Sequence, residues 1–374
     1  MKSDKLGVYI HIPFCIKKCN YCDFCSFPNR LDDISLYVVE LCRRIKEFAK
    51  VQGKLSIDTV YFGGGTPTLL GVEDFSAIMG VLNESFDISK NAEITVECNP
   101  ATIDINGFTA LRRLGINRLS IGLQSADDVE LSLLGRIHTW EDFLNTYRAA
   151  KSAGFDNISI DLMYGIPKQT VESFKNTLAK VVVLEPTHIS AYGLKIEENT
   201  AFYKNFEAYD FPSADDQAEL YELCCEYLAK KDYLRYEISN FAKVGYESKH
   251  NLKYWKLDDY IGFGVAAHSC FLGTRFGNSN DYNAFLRQED ICAEKKAISQ
   301  DELLTEYVML GLRLADGIDI TEFKELFGCD FKQKFSGINE FIKMGFMSEC
   351  DGRIAFTTKG FLVSNAILSQ ILGF

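Results

Sequence analysis

The sequence predicts an α/β protein in which six β/α units are followed by a smaller α+β module of winged-helix-like character. Two rhythms in the chain predict this. Through residues 7–197, short apolar, β-branched runs alternate with longer segments of helical period. From about residue 300, helical segments cluster and end in a hairpin signal. Strand, helix and strand repeated in this way imply parallel strands joined by right-handed crossovers.

In order, the strands read "GVYIHI", "DTVYFGG", "AEITVEC", "RLSIGLQ", "NISIDLMYG" and "HISAYGLKI". The helices between them read "DISLYVVELCRRIKEFAKV", "VEDFSAIMGVLNESF", "INGFTALRRLG", "WEDFLNTYRAAKSAG" and "VESFKNTLAKVVVLE". Gly115 and Gly154 close two of them where a helix wants a left-handed residue. Six units fall short of the eight that close a full barrel, so the pattern fits an open partial barrel or a doubly wound sheet. Residues 198–299 break the rhythm. There "ADDQAELYELCCEYLAKKDY" reads as a helix and "LRYEISNFAK" as a strand, while "HNLKYW" and the glycine-rich "IGFGVAAHSCFLGTRFGN" read as loop and strand. In the tail, "DELLTEYVMLGLRL", "DITEFKELFG" and "FSGINEFIKMGFM" read as helices, and "SECDGRIAFTTKG" as a hairpin turning at Asp351-Gly352. The expected division is therefore 1–197, 198–299 and 300–374.

Composition bounds the function. At 374 residues and 47% hydrophobic content the chain can bury a large core. A net charge of −12 speaks against nucleic acid as a partner. Residues 301–374 carry eleven acidic and seven basic side chains, so the winged-helix-like module reads as a lid or docking element. The first fourteen residues lack the apolar stretch of a signal peptide, and no apolar run approaches the roughly 18 residues of a membrane span. The expectation is a cytoplasmic protein whose twelve cysteines stay reduced.

Cys15, Cys19, Cys22 and Cys25 fall within eleven residues, just after the first strand. A loop in that place opens onto the face where barrel enzymes carry their sites. Structural zinc commonly takes two separated cysteine pairs, and outside this cluster the chain has no C-x2-C. A ferredoxin-type carrier would use all four thiols on one [4Fe–4S] cluster. A cluster held by Cys15, Cys19 and Cys22 alone would keep one iron open to a ligand. Polar residues recur at the ends of the next strands. These are Gly63, Gly64, Gly65 and Thr66 in "FGGGTPT", then Glu97, Gln124 and Asp161. Consecutive glycines let a ligand approach the backbone, and the recurrence at one mouth argues for one shared ligand.

These strings together resemble the radical S-adenosylmethionine (radical SAM) family. Within it they resemble the HemN/HemW group of oxygen-independent coproporphyrinogen III dehydrogenases and heme chaperones, with HemW the nearer. The resemblance spans nearly the whole chain, and "DLMYGIP" (161–167) is its most specific string. It implies a partial (β/α)6 barrel with a smaller C-terminal domain, and a [4Fe–4S] cluster on Cys15, Cys19 and Cys22. It implies S-adenosylmethionine (SAM) contacts at Tyr9, Gly64, Gly65, Thr66, Glu97, Gln124, Arg136 and Asp161, with Tyr21 a further cofactor-binding candidate. In that family the cluster and SAM generate a radical, and the protein supplies orientation and exclusion of water. Cys25 stands three residues after Cys22, where the dehydrogenases place their extra cysteine two after, so it reads as a non-ligand.

Two features lean towards the chaperones. The dehydrogenases carry a long extension before the cysteine motif, whereas here Cys15 comes almost at once. "HNLKYW" (250–255) matches the H-N-x-x-Y-W motif associated with HemW, which implies His250 as an axial heme ligand with Tyr254 and Trp255 stacked on the ring. His268 is a second candidate, read as packed, and His11 reads as a brace for the cluster loop. The expected function is delivery of heme to acceptor proteins, fed by a low-potential electron donor and touching a membrane only through the acceptor. The alternative is an enzyme, the SAM-dependent decarboxylation of coproporphyrinogen III. That substrate carries four carboxylates and would need arginines such as Arg235, Arg275 and Arg313 to converge.

Overall fold

All six apolar runs form strands, and each predicted helix follows its strand. In the computed structural model, which describes residues 5–373, the order begins β1 (Leu6–Ile12), α1 (Ile34–Gln52), β2 (Ser56–Gly64), α2 (Val72–Ser85) and β3 (Asp87–Cys98). It continues α3 (Ile105–Arg113), β4 (Arg118–Gln124), α4 (Asp128–Leu133), α5 (Trp140–Ser152), β5 (Asn157–Tyr164), α6 (Val171–Val182) and β6 (His188–Gly193). Residues 1–4 and 374, the outer tips of the first and last expected segments, lie outside the described residues. Strands β1 to β6 pair in sequence order, all parallel.

Alternation along the strands separates two environments. Val8, Ile10, Val60, Phe62, Val96, Leu119, Ile121, Ile158 and Ile160 are fully buried in the main core with residues of the helical layer. Each such side chain contributes about 1.5–3 kcal/mol on burial. The alternate positions are polar: Thr59, Glu93, Thr95, Arg118, Ser120, Ser159 and Ser190. This polar inner face is where a ligand can be held. Both predicted glycine stops are in place, Gly115 at φ 96° and Gly154 at φ 86°.

The segment 198–299 joins the same sheet. After α7 (Ala201–Lys204) and α8 (Ala214–Ala229) come β7 (Leu234–Arg235), β8 (Asn240–Ala242) and α9 (Lys249–Trp255). Then follow β9 (Tyr260–Phe263), β10 (His268–Phe271), β11 (Thr274–Asn278), α10 (Tyr282–Leu286) and β12 (Cys292–Ala297). The strand order is β12-β11-β10-β9-β1-β2-β3-β4-β5-β6-β8-β7, twelve in all, with β9 parallel to β1. Two expectations are corrected. "LRYEISNFAK" is two short antiparallel strands, because the Tyr236 N–H turns back to the Asn240 carbonyl (3.1 Å). "HNLKYW" is a helix. Ser248 caps it, and Glu93 accepts the Lys249 and His250 N–H groups (3.1 and 3.0 Å).

The tail builds its own core around Val308, Phe323, Phe331, Ile338 and Ile354. It runs α11 (Gln300–Gly311), β13 (Ile318–Asp319), α12 (Ile320–Phe327), α13 (Phe331–Lys334), α14 (Ile338–Lys343) and β14 (Met347–Cys350). It ends with β15 (Arg353–Phe356), α15 (Thr358–Leu362) and α16 (Ser364–Leu372), and its sheet is β13-β15-β14. Asp351 (φ 50°) and Gly352 (φ 74°) make the expected tight turn, whose two central residues both need positive φ.

Candidate functional site

The strand ends and the loops after them enclose a cavity of about 380 Å3. Cys15, Cys19 and Cys22 line it from the loop after β1. The glycine loop after β2 clamps that segment. The Gly65 N–H donates to the Ile12 carbonyl (2.8 Å) and the Thr66 N–H to the Phe14 carbonyl (2.7 Å). The Thr66 hydroxyl points at Cys15 Sγ (3.7 Å) and the Arg136 guanidinium at Cys19 Sγ (3.6 Å). Donors aimed at sulfur favour its charged form. Burial opposes this, raising the Cys15 thiol and pushing the Cys22 thiol up to about 11. Cys25 lines a different cavity. Among the described residues no three His, Cys, Asp or Glu side chains form the shell of a single metal ion.

The glycines have a use that spacing did not reveal. Gly64 sits at φ 114°, and a Cβ there would stand 2.5 Å from the His11 ring. A Cβ on Gly65 would stand 2.5 Å from the Phe14 carbonyl. They make room for His11 and the cysteine loop as well as for a ligand.

Glu97 accepts the Tyr61 hydroxyl (2.9 Å) and the Gly64 N–H (3.1 Å). Burial, with Asp161 nearby, raises its carboxyl to about 7. Asp161 accepts hydroxyls from Ser120 (2.8 Å), Ser159 (3.1 Å) and Ser190 (2.7 Å), and burial raises it too. Gln124 ends β4 at φ 73°, a conformation rare outside glycine. Arg136 donates to Asn99 Oδ1 (2.7 Å) and the Gly122 carbonyl (2.8 Å), leaving its Nε buried without a partner among the described residues.

Because Glu97 ionises near 7 in the fold and near 4.5 unfolded, the unfolded chain loses its proton first as pH rises. Stability therefore falls between those values and levels off above. Glu97→Gln is expected to gain on the native chain across that window by on the order of 2 kcal/mol, discounted for partial exposure. Urea unfolding of both proteins at several pH values checks this, and a difference that stays flat with pH contradicts it.

Eleven of the thirteen sequence-predicted site residues line this one cavity: the three cysteines, Tyr21, Gly64, Gly65, Thr66, Glu97, Gln124, Arg136 and Asp161. Tyr9 and His250 are not among them. Tyr9 lines the second cavity, and its hydroxyl meets His11 Nδ1 (3.0 Å). His250 is 1% exposed. Its Nδ1 pairs with the Thr59 hydroxyl (2.8 Å) and its Nε2 with the Tyr254 hydroxyl (2.8 Å), so both ring nitrogens are engaged. Trp255 lines neither cavity.

Two residues of the site escaped the sequence reading. Asn99 bridges the glycine loop and Arg136, donating to Thr66 Oγ1 (2.7 Å). Arg118, 1% exposed, reaches the cavity with Nε unpartnered among the described residues. The two-residue alternation Arg118, Ser120, Gly122, Gln124 was the available signal for it.

Residues 9–181 match the Radical SAM superfamily and residues 298–363 the HemN C-terminal domain. The heme chaperone HemW of Bacillus subtilis (strain 168) is 33% identical, over 98% of this chain and 99% of its own. The chain belongs to the HemW family. HemW of Escherichia coli (strain K12) is 32% identical over 100% of this chain and 99% of its own. Among solved structures, E. coli coproporphyrinogen III oxidase (HemN), described as a radical SAM enzyme, aligns with a TM-score of 0.85 and 25% identity, over 98% of this chain and 89% of that one. HemW membership implies a [4Fe–4S] cluster and SAM through the radical SAM superfamily. The expected fold, a partial radical SAM barrel with a smaller C-terminal domain, agrees with that alignment.

Proposed function

We propose that this protein is a heme chaperone, which binds heme as cargo and passes it to acceptor proteins with the help of a [4Fe–4S] cluster and SAM. The observation that carries the reading is end-to-end similarity to proteins named heme chaperone, at 32–33% identity.

The residues fit the cofactors. Three thiols share one cavity wall, and Arg136 presents an unpaired buried donor beside them. Cys15, Cys19 and Cys22 would hold the cluster. Gly64, Gly65, Thr66, Gln124, Arg136 and Asp161 would hold SAM, and the acidic side chains of Glu97 and Asp161 suit a cationic ligand. Bound there, the two groups supply one-electron chemistry. The chain's own part is positional: Asn99 couples the glycine loop to Arg136, and the three serines around Asp161 orient its carboxylate. The 300–374 module takes the lid or docking role. A low-potential donor feeds the cluster, and the acceptor receives the heme. Among the described residues no helix is long and apolar enough to cross a membrane. In this reading the protein is cytoplasmic and meets a membrane through the acceptor.

The fold likeness to coproporphyrinogen III oxidase supports a second reading, porphyrinogen decarboxylation. The three arginines that this reading needs for its carboxylates bond elsewhere: Arg235 to Tyr221, Arg275 to Glu306 and Arg313 to Asn365. One paired experiment separates the readings. The reconstituted protein is expected to bind heme stoichiometrically and to leave coproporphyrinogen III unchanged with SAM and a strong reductant. Protoporphyrinogen formation would favour the enzyme.

A further inference from the structure

We propose that the imidazole presented to heme iron is that of His268, at the second cavity, and not that of His250. The inference rests on the heme-chaperone reading and deepens it. The second cavity has a volume of about 350 Å3, within the ~300–1,000 Å3 of small-molecule sites. Gly64 and Glu97 line both cavities, so it adjoins the cluster and SAM site across the glycine loop. Its walls are aromatic: Tyr9, Phe24, Tyr254 and Tyr260. Large flat rings suit the faces and edges of a macrocycle.

The H-N-x-x-Y-W helix contributes to this cavity through its tyrosine. His250 Nε2 fixes the Tyr254 hydroxyl, and the Tyr254 ring stands edge-on to Tyr260 with centroids 4.6 Å apart. His250 is therefore a positioning residue for that wall. An axial ligand needs a nitrogen lone pair free for the metal. His250 has neither nitrogen free. His11, the other imidazole of the cavity, has neither, because Nδ1 meets Tyr9 and Nε2 meets the Cys25 carbonyl (2.9 Å).

His268 differs on each count. It opens β10, lies in the cavity wall and is exposed. Neither ring nitrogen has a hydrogen-bond partner among the described residues. Its strand partner is Gly277, and a Cβ there would stand 2.8 Å from His268 Nδ1. Glycine at that position gives the ring its place. An exposed ligand also suits cargo that must leave again.

The test uses the full chain, titrated with ferric heme and followed by the Soret band and electron paramagnetic resonance. His268→Ala is expected to shift the Soret band, lose the imidazole-ligated signal and weaken binding at least tenfold, with added imidazole restoring the signal. Gly277→Val keeps His268 but crowds its ring, and is expected to lose the same signal. An unchanged spectrum and affinity in His268→Ala, or a signal that moves only when His250 is replaced, overturns the assignment while leaving heme binding intact. A native chain that takes up no heme overturns the heme reading with it.

Discussion

Alanine at Cys15, Cys19 or Cys22 is expected to leave the chain with no iron–sulfur cluster after anaerobic reconstitution, whereas Cys25→Ala keeps about four irons per chain. The asymmetry follows from where the sulfurs face. The first three share one wall with the glycine loop, and two of them already draw donors, from Thr66 and Arg136. Removing one leaves two ligands, and at Cys15 or Cys19 it also strands a donor. Cys25 opens on the other side of the cysteine loop. Iron and acid-labile sulfide analysis with electron paramagnetic resonance decides the matter. Loss of the cluster in Cys25→Ala would mean four cysteine ligands, and with them an electron carrier with no open iron.

His250→Ala is expected to destabilise the fold by about 2–5 kcal/mol. It orphans two hydroxyls, on Thr59 and Tyr254, each costing about 1–3 kcal/mol, and leaves a void inside the barrel. The loss should also depend on pH. Burial, with Lys253 and Arg118 nearby, holds the His250 imidazole down at about 3, well below its ordinary 6.5. The unfolded chain takes up the proton first as pH falls, so the stability it contributes is present above about 6.5 and lost towards about 3. The gap between native and variant should therefore narrow on acidification. Denaturant unfolding at pH 7.5 and pH 5 tests this, and equal midpoints at both values would refute the packing described for His250.

Much of this was legible because local and global signals agree along the first half. Strand runs such as "NISIDLMYG" hide one face under helices and turn the other inward. The same alternation that marks a strand thus also places Asp161 in the site. Gly115, Gly154 and the Asp351-Gly352 turn are read from backbone freedom alone. The helix at 249–255 was not legible, since a seven-residue segment with two aromatic residues has little helical preference of its own. It forms because Glu93, over 150 residues earlier, receives its first N–H groups. The second cavity, lined by Tyr9 and His268, was not legible for a related reason: it exists because β9 docks beside β1, a pairing between distant segments. Arg118 was passed over because a cation in an apolar strand looks like a surface residue until the barrel wraps around it.

The unclosed sheet has one more consequence, for how copies of the chain treat each other. A closed barrel has no edge, but this sheet ends at β12 on one side and at β7 on the other. Each end offers unpaired N–H and C=O groups to any passing strand. The β7 end is two residues long, too short to seed a ladder. The β12 end is six residues long and wholly exposed, and it carries Glu294, Lys295 and Lys296. Charges along an edge strand, lysine above all, disfavour the addition of another strand. The protein can thus keep an open barrel without its long edge becoming a template for its own aggregation.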